Sequence, residues 1–333
     1  MIVMIIRFLL FLIILSCFTG CDFLYRKFHE PYSGYYLSDW TLKGDIVTNY
    51  QSGERIEYQV GDQVNRFGTS DILLINPLSP EREEIIISKN TKFIQHEDNP
   101  EWEVLVALSS FIDSNNDRYT AYTSFPVDPD FDSTFKFYKN NNLISSYPFR
   151  KSIYVTGPPK TVYDKYVQIN PFTKQSFLFS FGYTKLFIFS ITGDLEHELD
   201  LGSHAIWKTA TSFWYYAPIQ NTLASYDLET ATSTMYDIDF KPSYYNDTDN
   251  TLQTIDNGVL KTFSVASNTI TASIAVTYDY KTLNEFKFSP DGSKLLVYEK
   301  GWFNEFRDSD AIFKSLGINI YDINTHTLTK IRD

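Results

Sequence analysis

The sequence predicts an all-β chain built from successive four-stranded antiparallel meanders, and three observations carry that expectation. Strand formers dominate: the 333 residues include 27 Phe and 24 Tyr, 43% are hydrophobic, and Gly and Pro number only 14 and 13. No helical heptad is sustained, so aromatic and β-branched residues on pleated surfaces account for the composition better than an α/β arrangement does. The second observation is the last fifty residues, which read as two consecutive hairpins. Phe286 and Phe288 alternate with polar neighbours, Ser289-Pro290-Asp291-Gly292 supplies a turn, and Leu295, Leu296 and Val297 return. Proline presets φ at the second turn position, Asp tolerates the bridge region and Gly takes the left-handed step. Ile318, Ile320 and Ile323 then alternate with polar residues up to Asn324-Thr325-His326, after which Leu328 and Ile331 return. The third observation is repetition: hairpins like this last one start at Lys185, Thr222 and Val259, 37 residues apart each time.

The first twenty residues stand apart. Arg7 is their only charge, Phe8 to Leu15 is a short apolar run, and Ser16-Cys17-Phe18-Thr19-Gly20 leads to Cys21. A charged start, a short apolar run and small residues before a boundary describe a secretory signal, whereas crossing a bilayer takes about 20 apolar residues. Phe18-Thr19-Gly20-Cys21 resembles the lipobox of bacterial lipoproteins, in which a small residue precedes a cysteine that is acylated and becomes the new N-terminus. Phe18 stands where that family usually has Leu. A plain secretory signal and an uncleaved anchor interrupted at Arg7 are the competing readings.

Cysteine and charge counts bear on the same point. Cys17 and Cys21 are the only two cysteines, so the expected mature chain holds no thiol beyond the lipidated one. That excludes a disulfide framework, a thiol active site and a cysteine zinc site. Removing residues 1–20 takes away Arg7 and leaves 28 basic against 41 acidic residues, a balance that repels nucleic acid and anionic lipid surfaces. The membrane is then reached through the N-terminal lipid, the resemblance implying several acyl chains, which anchor stably where one is marginal. Asp22 beside the acylated cysteine resembles the inner-membrane retention signal of enteric bacteria, a rule that does not extend to all bacteria, so inner and outer membrane both stay open.

The expected organisation is therefore a signal peptide at 1–20, a lipidated tether at 21–34 and one β domain at 35–333. Within that domain the outer hairpins fall at Asp71–Asn76 with Glu84–Ile87, Thr134–Tyr138 with Leu143–Phe149, Lys185–Phe189 with Leu195–Leu201, Thr222–Tyr226 with Thr232–Ile238, Val259–Phe263 with Thr269–Ala275, and the last fifty residues. Inner hairpins precede several: Glu101–Ala107 with Tyr119–Phe125, Tyr166–Asn170 with Ser176–Phe181, and Ala205–Lys208 with Phe213–Tyr216. The Phe-Ser-Pro-Asp-Gly turn at 288–292 is similar to the one that joins the two inner strands in β-propellers of the WD-like or Tol-system type. That resemblance implies an all-β propeller of about six four-stranded blades. Seven blades require a further one between Tyr35 and Gly68, where Tyr50 to Val60 would supply strands; a β-sandwich or two β domains is the other arrangement that short alternating strands permit.

Candidate chemistry is sparse. Asp113, Asn115 and Asp117 place oxygen ligands at alternate positions, as the start of a calcium loop does, but Arg118 and Ser124 stand where its glycine and bidentate Glu belong. Asp128, Asp130 and Asp132 lie just beyond and would close such a site; the competing reading is a polar turn, as it is for Asp247 and Asp249. Calcium is the one cofactor considered. Histidines 29, 96, 197, 204 and 326 are scattered and read as surface residues. No phosphate loop, nucleophile elbow, zinc-protease helix or sialidase-type Ser-x-Asp box occurs, so no catalytic residue is assigned. Gly301 to Leu316 interrupts the last blade with Trp302, Phe303 and Phe306 and a short helix expected at Asp308–Leu316. These aromatics either cover the sheet or form a partner-binding insertion. The functional expectation is a lipid-anchored envelope module that binds or scaffolds a protein or glycan partner; the alternative is a propeller enzyme acting on a glycan with acidic and Tyr residues at its central channel.

Overall fold

The computed structural model describes residues 33–59, 63–94, 103–126, 133–149, 166–181, 185–256, 258–276, 284–299 and 317–332. They form six four-stranded antiparallel sheets in chain order, and no helix occurs among them. Blade 1 holds β1 (Ser33–Trp40), β2 (Ile46–Gln59), β3 (Gln63–Ile75) and β4 (Glu83–Ile94). Blade 2 holds β5 (Glu103–Ile112), β6 (Arg118–Pro126), β7 (Ser133–Lys139) and β8 (Asn142–Phe149). Blade 3 holds β9 (Tyr166–Ile169), β10 (Ser176–Phe181), β11 (Lys185–Ser190) and β12 (Leu195–Asp200). Blade 4 holds β13 (Ser203–Trp207), β14 (Ser212–Ala217), β15 (Thr222–Asp227) and β16 (Thr232–Tyr236). Blade 5 holds β17 (Tyr244–Asn246), β18 (Thr251–Asp256), β19 (Val259–Ser264) and β20 (Thr269–Ala275). Blade 6 holds β21 (Asn284–Phe288), β22 (Lys294–Glu299), β23 (Ile318–Asp322) and β24 (Thr327–Arg332).

This is a six-bladed propeller. The sequence expectation of six outer hairpins is met strand for strand, and the stretch from Tyr50 to Val60 does not begin a seventh blade. It extends β2, which pairs with β3 from Ile46↔Ile75 out to Gln59↔Gln63. The first blade is thus a short inner strand beside one long hairpin.

Inner strands read as nearly continuous apolar runs because both faces of each sheet are covered by neighbouring blades. In β10, Phe177 and Phe179 point into the core shared with blade 2, while Leu178 between them packs on blade 4. β14 divides likewise: Phe213 and Tyr215 join the blade 3 side and Trp214 the blade 5 side. Six clusters result, one per interface, closing the ring from blade 1 round to blade 6. The blade 2/3 interface is the most aromatic, with Phe135 centred 4.6 Å from Phe179 and 5.0 Å from Phe189. Outer strands turn polar: β16 is exposed at Thr232, Ser233, Thr234 and Met235.

Among the described residues each blade takes its four strands consecutively from the chain, and no strand crosses from blade 1 to blade 6 to lock the ring. Side chains close it instead. Trp40, 8% exposed, packs with Tyr35, Ile46, Leu73 and Ile75 against Leu296, Ile318, Ile320 and Ile331. Its indole N–H donates to the Lys287 carbonyl at 3.0 Å. At the outer edge of the same seam, Arg332 of β24 pairs with Glu83 of β4, which also accepts from the Tyr35 hydroxyl at 2.8 Å. Burial, with Glu83 alongside, pushes the Tyr35 phenol up to about 12.

Replacing Trp40 by Phe keeps a ring in the seam but removes the indole bond to the Lys287 carbonyl. We expect a loss of about 0.5–1.5 kcal/mol, read as a lower urea midpoint at unchanged m value. A midpoint equal to wild type would show that the indole bond does not hold the seam.

Candidate functional site

The six inner strands all run toward the same face, where short turns lead into the second strands. The repeat is visible in how those turns close. Thr41, Asp113, Asn170, Asn246 and Ser289 stand at or directly after the end of the first strand of blades 1, 2, 3, 5 and 6, and in each the side-chain oxygen accepts a backbone N–H from the residues that follow. Such local side-chain bonds satisfy amides that the ladder no longer pairs. Three residues earlier, Ser38, Ser110 and Ser243 each meet a threonine of the second strand, hydroxyl to hydroxyl, at 2.8, 3.0 and 3.2 Å.

This placement tells what the Asp113, Asn115 and Asp117 stretch does locally. Asp113 Oδ1 accepts from the amides of Asn115 and Asp117 at 2.8 and 2.9 Å. Asp117 is held by the Lys139 ammonium and by the Asn140 amide, both at 2.7 Å. Those two donors keep its carboxyl below the ordinary range. Among the described residues, no group of three His, Cys, Asp or Glu side chains is arranged to hold a metal ion. Asp247 and Asp249 also lie in a turn, capped by Asn246. Cys21, Trp302, Phe303, Phe306, the Asp128–Asp132 stretch and the helix expected at Asp308–Leu316 lie outside the described residues. Of the histidines, 197 and 326 are exposed, while His204 is half-buried with Nδ1 3.0 Å from Ser203 Oγ.

Where the inner strands converge they enclose a recess of about 390 Å³ with a wall contributed by all six blades. Asp39 and Trp40 come from blade 1, Ser109 from blade 2, Gln168 and Phe172 from blade 3, Trp207 from blade 4, Tyr244, Tyr245 and Asp247 from blade 5, and Lys287 and Phe288 from blade 6. The wall is bonded between blades. Trp207 of blade 4 donates its indole N–H to the Gln168 carbonyl of blade 3 at 3.4 Å, while its backbone N–H reaches Gln168 Oε1 at 3.1 Å. Trp40 makes the equivalent indole bond from blade 1 to blade 6. Gln168 and Lys287 are equivalent too: each stands two residues before a turn-capping Asn170 or Ser289 that is followed by proline.

At the blade 5/6 side of the rim, Tyr244 stacks on Phe288 with centroids 5.5 Å apart, and its hydroxyl donates to the Pro290 carbonyl at 3.4 Å. Gly292, at φ +69°, lies beneath the ring; a Cβ there would come 2.5 Å from Tyr244 Cε1. Burial first, then the charges of Asp291 and Asp247, push the Tyr244 phenol above its usual value. Asp291 is itself held low, chiefly by the Ser289 hydroxyl at 2.6 Å and further by Ser293. Sequence reasoning missed this recess because its wall is drawn from single residues on six blades. The signal available was the paired Trp40 and Trp207, each directly ahead of an inner turn.

No known family description matches the chain, and no curated protein matches its sequence. Solved structures match in fold. Hsv2 of Kluyvelomyces marxianus is 11% identical over 88% of this chain and 77% of that one, with a TM-score of 0.45. The C-terminal WD40 domain of Sif2 is 13% identical over 89% and 83%, at 0.48. An oligogalacturonate lyase of Vibrio parahaemolyticus is 10% identical over 82% and 88%, at 0.43. These likenesses are of fold only; the blade number is read from the chain's own sheet order, and that order makes the protein a six-bladed β-propeller.

Because the Asp291 carboxyl is lowered in the folded state, the stability it confers is complete above the unfolded carboxyl value of about 3.9 and is lost as pH falls through the lower folded value. Asp291→Asn is therefore expected to lower the urea midpoint at neutral pH and, because that contribution no longer fades in acid, to flatten the stability–pH slope below about pH 4, so that the two proteins converge there. Urea unfolding from pH 3 to 7 measures this, and an unaltered acid slope would remove Asp291 from the account.

Proposed function

We propose that this propeller is a lipid-anchored envelope module that binds a partner in the central recess, with Cys21 as the acylated residue. The observation that carries the binding reading is the recess itself: a preformed cavity of about 390 Å³ with wall groups from six blades, several locked to a neighbouring blade. Concave, largely preformed sites with a few fixed polar groups among aromatic ones are where ligands bind. A wall that is already ordered loses little conformational freedom on binding, which favours affinity.

The enzyme reading expects acidic and Tyr side chains at the channel, and Asp39, Asp247, Tyr244 and Tyr245 are of those types. Asp39 Oδ1 accepts from the Trp40 amide and the Tyr244 hydroxyl donates to Pro290, so two of the four serve the wall's own bonding. Binding is the reading that uses the wall as it stands. The anchor rests on Phe18-Thr19-Gly20-Cys21 behind a short apolar run, and the acidic balance of the mature chain leaves the lipid as the membrane contact.

In-cell crosslinking from photoreactive residues at positions 172 and 247, run with wild type and Cys21→Ala, tests both parts. We expect recurrent envelope-protein or glycan adducts that depend on Cys21, together with loss of palmitate labelling and of membrane sedimentation in the variant. Labelling that persists in Cys21→Ala would overturn the anchor, and adducts no more frequent than from an outer-strand position such as 234 would overturn the recess.

A further inference from the structure

The rim of the recess is not chemically uniform. On blades 5 and 6 the aromatic pair of Tyr244 stacked on Phe288 has two carboxylates near its phenol, Asp247 in the recess wall and Asp291 in the next turn. Asp247 is exposed at the mouth. Lys287, the one cation among the described wall residues, is only 9% exposed and is not free. An aromatic face offers its negative quadrupole to a cation, and carboxylates beside it add a directed attraction that an aromatic face alone lacks. The protein's acidic balance adds a long-range pull on positive groups and repels negative ones.

We propose that this corner of the recess receives an alkylammonium group, carried as a lysine side chain on an exposed segment of the partner protein. Four methylenes and an ammonium are slender enough to enter along Phe288 and Tyr244, and the apolar stem is suited by the same rings that face the charge. Gly292 leaves room for the Tyr244 ring, which a Cβ at that position would displace. The assignment rests on the recess being the binding site, and it adds the charge and shape of what enters.

The test uses the full-length protein in detergent micelles and three acetylated, amidated pentapeptides, Gly-Gly-Lys-Gly-Gly and the same peptide with norleucine or glutamate at the centre. Binding is followed by tryptophan fluorescence, since Trp40 and Trp207 lie in the recess wall. The lysine peptide is expected to bind at least tenfold more tightly than the norleucine peptide, with no response to the glutamate peptide. Asp247→Asn and Tyr244→Leu should each weaken the lysine peptide several-fold, with circular dichroism confirming that both variants fold. Ethanolamine and phosphatidylethanolamine micelles form a separate arm; tighter binding there than to the lysine peptide would assign the ammonium to lipid and overturn the protein source. Equal binding of the lysine and norleucine peptides would overturn the cation assignment. If no peptide binds but recess crosslinks persist in cells, the ammonium assignment falls and the binding site stands; if those crosslinks are also absent, both fall.

Discussion

Everything in this fold follows from burying both faces of each sheet. A four-stranded meander whose inner strands read Phe-Leu-Phe or Phe-Trp-Tyr has no polar face to give to water. Each blade must therefore be covered by a neighbour on either side, and the arrangement that leaves no blade uncovered is a closed ring. The same requirement explains why alternate residues of one strand belong to different cores, as Leu178 does beside Phe177 and Phe179. It also moves polarity outward, since only the outermost strands meet solvent. At about 25 cal/mol per Å² of apolar surface removed from water, each aromatic interface is a larger contribution than any ion pair at the rim.

The ring closes without strand exchange, which places an unusual weight on one seam. At the other five interfaces the chain passes directly from one blade to the next, and proximity along the chain favours their packing. Among the described residues, blades 1 and 6 share no strand and meet through side-chain packing and side-chain hydrogen bonds. Trp40 serves there in two ways, filling the core of the seam and donating across it, and the Arg332–Glu83–Tyr35 group ties the outer edge. The repeat of the indole bond at Trp207, three blades away and between blades joined by the chain, shows that the bond belongs to the blade pattern. At the seam that pattern takes on closure as well.

Much of this was legible in the sequence, and the reasons are local. Blades 3 to 5 keep tight turns with a residue in the left-handed conformation, Gly193 in blade 3, Asn221 and Ala231 in blade 4 and Asn268 in blade 5, so their hairpins recur at equal spacing and alternation reveals them. Gly292 adopts φ +69° as the Ser-Pro-Asp-Gly turn requires. Blade 1 was harder because β2 and β3 continue well past the blade's width; a hairpin of that length reads as extra strands until its register is known. The stretch from Asp113 to Asp117 reads two ways in the sequence, as the start of a calcium loop and as a polar turn. Oxygen ligands at alternate positions are also what a capped turn uses, and only the equivalence of Asp113 with Thr41, Asn170, Asn246 and Ser289 displays that shared role. The recess was harder to read, since its wall takes single residues from six blades and only Trp40 and Trp207 repeat a position, each directly ahead of an inner turn.

The position of the recess relative to the chain's entry sets how the disc would be presented. β1 enters at Ser33 and reaches the recess at Asp39 and Trp40, so the N-terminal end and the recess lie at opposite ends of one strand. With a rise of about 3.3 Å per residue, that strand separates them by roughly 23 Å. Anything tethered ahead of Ser33 joins the disc on the face away from the recess.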